Sequence, residues 1–160
     1  MKFNFQERNF KIMKVKDCMC HDICYVKPNT SIYDVTKIMS SNHIGCLPIC
    51  DENCKVVGLV TDRDITLRCV ACDKDAKQTP VSEIMTCNIC CCETGDELYQ
   101  AETKMAQNQI RRLPVTENGK VVGMLTLGDL AKYNEEIGSE IIASTFENIC
   151  NCQGNTKNAE

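Results

Sequence analysis

Apolar positions recur along this chain in the same order twice. Ile32, Val35, Ile38 and Met39 fall at helical spacing and form one apolar stripe. Ser31 opens that stripe and Asp34 follows three residues later, a capping-box pattern with Asp in the usual Glu or Gln place. Short apolar runs at 46–50 and 56–61 read as strands, separated by the polar turn Asp51-Glu52-Asn53-Cys54. In the second half, Asp96 is the predicted N-cap and Leu98, Ala101 and Met105 form the stripe. Asn118-Gly119 then favours a tight hairpin between strands at 113–115 and 121–126. Runs at 23–26 and 89–92 predict a leading strand in each half, and further helices start near Asp62 and Leu127. The order β-α-β-β-α, written twice, predicts an α/β (α+β) fold of two pseudo-symmetric units.

The halves align residue by residue. Residues 15–65 match 81–130 at an offset of 66, which becomes 65 after the hairpin turn. Leu47-Pro48-Ile49 falls on Leu113-Pro114-Val115, and Gly58, Thr61 and Asp64 fall on Gly123, Thr126 and Asp129. A repeated unit predicts a repeated fold, and two like folds packed together enclose two like sites. The chain then divides into an extension (1–14), a first repeat (15–72), a polar linker ending at Pro80 (73–80), a second repeat (81–134), a C-terminal helix (135–150) and a polar tail predicted to be disordered (151–160). Ile141, Ile142, Phe146 and Ile149 lie near one face of that last helix, which predicts a packing or dimer surface.

Composition narrows the function classes. Units of about 50–60 residues are marginal alone, so the repeats are expected to share burial. A net charge of −4 shows no nucleic-acid footprint. No apolar run approaches the length of a membrane span, and the N-terminus lacks the apolar core of a secretory signal, so a cytoplasmic protein is expected. The 14 cysteines are unusual for a reducing compartment. Cys behaves as a small hydrophobe, and Cys92 aligns with Val26.

Gly58-Leu59-Val60-Thr61-Asp62-Arg63-Asp64 and Gly123-Met124-Leu125-Thr126-Leu127-Gly128-Asp129 each lie where a strand passes into a helix. Free N–H groups at a helix start suit a phosphate, and a carboxylate there suits ribose hydroxyls. Thr and Asp at those positions also serve as ordinary caps. Duplication in register favours a ligand site for a phosphorylated ribose. Before Leu-Pro the copies part, with Gly45-Cys46 in one and Arg111-Arg112 in the other. An Arg fork clasps a phosphate, so Arg112, with Arg63 as the weaker candidate, is expected toward ligand phosphates and the two sites are expected to be unequal. His43 aligns with Gln109 and reads as an exposed helix-end residue, with pH sensing or phosphate contact as the alternative.

This order of motifs closely resembles the CBS domain family as a stand-alone tandem pair, or Bateman module, over about residues 15–133. The Val-x-x-x-Met openings, including Thr79-Pro80-Val81-Ser82-Glu83-Ile84-Met85-Thr86, belong to the same resemblance. It implies two β-α-β-β-α repeats packed through their sheets, often as a homodimer. It implies AMP, ADP, ATP or S-adenosylmethionine as a regulatory ligand in the cleft between repeats, with no cofactor required and an effector protein as recipient of the signal. Ribose would fall to Asp64 and Asp129 beside Thr61 and Thr126, and adenine to the surroundings of Ile23, Val26, Ile89 and Cys92.

Two other classes compete. Cys69-x-x-Cys72 followed by Cys87-x-x-Cys90 approaches a four-cysteine zinc spacing, and Cys18, Cys20, His21 and Cys24 form a second cluster. In the repeat alignment the first set is divided between a helix end and a strand, which disfavours a metal, and redox sensing through an exposed thiol is the other role for a cysteine-rich protein on this fold. A structural dimerisation unit with empty sites is the third reading. No nucleophile elbow, Walker loop or His-Glu-x-x-His is present, so no enzyme is expected.

Overall fold

A computed structural model describes residues 13–133 and 139–150, with side chains of the last segment described from 142 onward. The expectations for residues 1–12 and for the tail at 151–160 lie outside the described residues. The elements are α1 (Val15–Cys18), α2 (Ile32–Asn42), β1 (Cys46–Cys50), β2 (Val56–Thr61) and α3 (Asp62–Arg68) in the first half. After short 3-10 turns at Val70–Cys72 and Val81–Glu83 come β3 (Cys92–Glu93), α4 (Leu98–Asn108), β4 (Arg112–Glu117), β5 (Lys120–Thr126) and α5 (Leu127–Lys132). A final helix, α6, spans Ser139–Cys150.

Each half builds an antiparallel hairpin, β1 with β2 and β4 with β5. The second hairpin turns at Asn118 and Gly119, both with positive φ (51° and 76°), as an Asn-Gly turn requires. The leading strands are much shorter than the pattern predicts. Val26 makes a single parallel bridge to Ile49, and β3 is two residues long. Proline accounts for this. Val26 N–H donates to Pro48 O (3.1 Å) and Val26 O accepts from Cys50 N–H (2.9 Å). The next rung toward the N-terminus would need an N–H on Pro48 or Pro114, which proline lacks. The following rung exists in the second repeat, where Thr94 N–H donates to Thr116 O at 3.1 Å. At the equivalent position the first repeat has Pro28.

Ser31 caps α2 as predicted, accepting from Asp34 N–H. The cap of α4 is Glu97 in a box with Gln100, not Asp96. Asp96 instead accepts from Glu93 N–H at 3.1 Å and pairs with Lys104 at 3.0 Å. That places it one residue too early to serve the helix.

The described residues form two cores, and neither coincides with one sequence repeat. Val15, Cys18 and Met19 of the first repeat pack with Leu98, Ala101, Met105, Leu113 and Leu125 of the second. Val81 and Ile84 of the second pack with Ile32, Val35, Leu47, Ile49 and Val60 of the first. The opening turns are thus exchanged. Reciprocal backbone pairs fasten the exchange: Cys20 with Met124 (2.9 and 3.0 Å) and Leu59 with Thr86 (3.0 and 2.8 Å). Each pair crosses a hairpin strand beside a glycine. A Cβ on Gly123 would lie 2.7 Å from Cys20 O, and one on Gly58 would lie 2.5 Å from Met85 Sδ. These glycines admit the exchanged segment.

Ile149 of α6 enters the core that holds Leu98, Met105 and Leu113, while Phe146 is half-exposed, so the predicted apolar face is only partly used for intramolecular packing. Ile141 lies outside the described side chains.

The obstacle at Gly123 is backbone, whereas the nearest atom at Gly58 belongs to a flexible Met. Gly123→Ala is therefore expected to cost about 1–3 kcal/mol in urea denaturation and more than Gly58→Ala. An equal or larger loss for Gly58→Ala would contradict the close approach as described.

Candidate functional site

The two motif helices begin identically. Thr61 N–H and Oγ1–H donate to Asp64 Oδ2 (2.9 and 2.7 Å), and Asp64 N–H donates back to Thr61 Oγ1 (3.1 Å). Thr126 and Asp129 repeat this at 3.0, 2.7 and 3.1 Å. Both carboxylates are caps, and both also line a cleft. The capping bonds occupy Oδ2. Oδ1 of Asp64 lies 3.4 Å from Arg68 Nη1, and Oδ1 of Asp129 lies 2.9 Å from Lys132 Nζ. Burial opposes the charge on Asp129, but hydrogen bonds from Thr126 and Lys132 outweigh it and hold the carboxyl below its usual range.

Because the opening turns are exchanged, each motif faces the other repeat. The first cleft, of about 380 Å³, joins Thr61 and Asp64 to Ile89, Ile110, Arg111 and Arg112. The second, of about 340 Å³, joins Thr126 and Asp129 to Ile23, His43, Ile44 and again Arg112. Leu59 and Thr86 line the first cleft, and Cys20 and Met124 the second, so the crossing backbone pairs lie in the cleft walls. Volumes of this size fall within the range of small-ligand sites.

Ile23 and Ile89 line the clefts, but Val26 and Cys92 do not. They are 5% and 2% exposed and belong to the two cores, because they make the sheet rungs described above. Arg63 is exposed and is absent from the lining of both clefts, while Arg68 reaches Asp64. His43 takes the left-handed helix-end conformation (φ 53°) and is exposed at the second cleft.

Arg112 starts β4 opposite Thr126 and lines both clefts, whereas Arg111 lines only the first. In the first repeat a side chain at Gly45 would meet Asp62, whose Oδ2 lies 2.7 Å from the added Cβ. In the second repeat Leu127 replaces that acid and Arg111 stands where Gly45 would be. Both helix starts close the same way, Asp62 N–H to Gly45 O and Leu127 N–H to Arg111 O (3.2 and 3.0 Å). The backbone is the same and the charge is reversed.

Among the described residues no two cysteines form a disulfide. Cys69 Sγ donates to Lys74 O and Cys72 Sγ to Leu67 O, both at 3.6 Å, while Cys87 is exposed. Among the described residues no three His, Cys, Asp or Glu side chains gather as metal ligands, so neither proposed cluster is assembled. Burial pushes Cys46 and Cys50 up to about 11 and Cys92 up to about 12, which keeps these thiols protonated and unreactive. Arg112 opposes the shift at Cys46, which places its charge close by. Among the described residues no helix is long and apolar enough to cross a membrane.

Pattern reading missed Ile44, Ile110 and the Leu59–Thr86 crossing. The apolar residue before Gly-Cys or Arg-Arg was visible, but its place in a cleft wall depends on the exchange.

The comparisons agree with this geometry. The CBS domain matches residues 15–70 and 81–136. CBS domain-containing protein YhcV of Bacillus subtilis is 38% identical over 138 residues, covering 84% of this chain and 97% of that protein. The CBS domain pair of protein MJ0100, solved with 5'-methylthioadenosine and S-adenosyl-L-methionine, is 30% identical with a TM-score of 0.69, covering 78% of this chain and 97% of that one. Hypoxic Response Protein I, solved with two coordinated zinc ions, is 26% identical with a TM-score of 0.71, covering 76% of this chain and 98% of that one. With both repeats matched and their tandem packing in place, the chain belongs to the CBS domain family.

Proposed function

We propose that this chain is a non-enzymatic regulatory module that binds an adenosine-containing ligand, such as AMP, ADP, ATP or S-adenosylmethionine, between its repeats. The observation that carries the reading is the composite cleft. A cap carboxylate of one repeat, an apolar wall of the other and an Arg shared by both clefts converge there. Adenine lies against Ile89 or Ile23. Ribose hydroxyls reach Oδ1 of Asp64 or Asp129, beside Thr61 or Thr126. Phosphate meets Arg112. The known adenosine ligands of the MJ0100 pair support the class.

The sites are unequal. The first cleft has Arg111 and Arg112 against one acid, and the second has Arg112 with Asp129 and Asp22. A phosphorylated nucleotide prefers the first. Each ligand touches both repeats, so it stabilises one relative packing. Ligand at a hundredfold above its dissociation constant contributes about 2.7 kcal/mol, and drives a change only by binding one state better. The signal passes to an effector protein, with the module acting as a homodimer.

Isothermal titration calorimetry of the full chain tests the assignment. Arg112→Ala is expected to weaken AMP by about 10-fold or more, as loss of a charge-assisted bond does, and to leave adenosine nearly unchanged. Equal losses for both ligands would overturn the phosphate role.

Asp64→Ala and Asp129→Ala each remove a cap and should each cost about 1 kcal/mol of stability. AMP affinity is expected to fall more for Asp64→Ala. A larger loss for Asp129→Ala would reverse the preference between clefts.

A further inference from the structure

Glu102 lies on α4 where α2 of the first repeat has Thr36. Thr36 is half-exposed and its hydroxyl donates to Tyr33 O at 2.7 Å. Glu102 is only 4% exposed. The difference is α6, which packs across α4 and has no counterpart over α2 among the described residues. A groove of about 340 Å³ between the two helices is lined by Glu102, Thr103, Gln107, Ser144, Thr145 and Asn148, with Tyr99 at its edge. None of these brings a positive charge. Glu102 Oε1 is buried and accepts no hydrogen bond among the described residues.

Among the described residues the other ionisable groups of α4, α5 and α6 do not compensate it. On α4, Lys104 is held by Asp96 and Cys91 O (3.0 and 3.1 Å), and Tyr99 is exposed. On α6, Glu147 and Cys150 are exposed, and the Glu140 side chain lies outside the described residues. On α5, Lys132 is engaged by Asp129. An ionised carboxylate in such a place is penalised by lost hydration with no partner to offset it.

We propose that α6 is a proton-gated strap, docked on α4 while Glu102 is protonated and loosened when Glu102 ionises. Loosening uncovers the outer face of α4, so this helix would report pH.

Burial raises the Glu102 carboxyl from 4.5 to about 6. A group raised in the docked state favours docking below its ordinary value, and that advantage is lost as pH rises through about 6. The full change is about 30-fold in the docking equilibrium, of which about eightfold falls between pH 5 and pH 8.

Hydrogen exchange of the full chain, corrected for intrinsic rates, tests this. Protection of α6 amides is expected to fall about eightfold from pH 5 to pH 8. The isosteric Glu102→Gln should remove that dependence and keep α6 protected at pH 8. Unchanged wild-type protection, or the same fall in Glu102→Gln, would overturn the proposal. Carbon-13 titration of the wild-type Glu102 carboxyl provides a check that needs no variant. A midpoint near 6 supports the strap, and an ordinary glutamate midpoint overturns it.

Discussion

The exchange of opening turns is the constraint on which the rest of the structure depends. Val15, Cys18 and Met19 complete one core, and Val81 and Ile84 complete the other. Backbone pairs at Cys20–Met124 and Leu59–Thr86 lock the crossings. Neither repeat can be lifted away without opening the other's core. The chain therefore behaves as one packing unit made of two sequence units, which suits repeats too small to bury enough surface alone.

The same exchange makes the clefts. A hairpin that ends in Thr-x-x-Asp is bound along its strand to the segment that enters the other repeat. The motif is thereby held opposite Ile89 or Ile23. Proline contributes by ending the parallel ladder at Pro48 and Pro114, so that the residues before Val26 and Cys92 leave the sheet and line a cleft. The asymmetry arises later in the chain, from Gly45 with Asp62 against Arg111 with Leu127. One fold thus carries opposite charge at equivalent corners.

Much of this was legible in the sequence. The two-fold repeat, the hairpin at Asn118-Gly119, the stripes of α2 and α4 and the paired Thr and Asp positions all follow from local chemistry and spacing. The cross-repeat assembly of each site did not, because exchange of Val15–Met19 with Val81–Met85 leaves no local signal. The family resemblance implies an adenine environment at Val26 and Cys92, whereas both are buried in the cores. Proline N–H chemistry separates core from cleft once the rungs are traced. Asp suits a cap, which is what the pattern predicts at Asp96, but Glu97 with Gln100 forms the box. Glu102 gave no sign at all, since a charged residue on an outer helix face looks solvated until α6 covers it.

The central claim is that one ligand touches both repeats at once. Amide NMR of the full chain titrated with AMP measures this directly. The account predicts that signals of Thr61 and Asp64 from one repeat, and of Ile89 and Arg111 from the other, move along a single binding isotherm. Shifts confined to one repeat, or no shifts at saturating AMP, would contradict it.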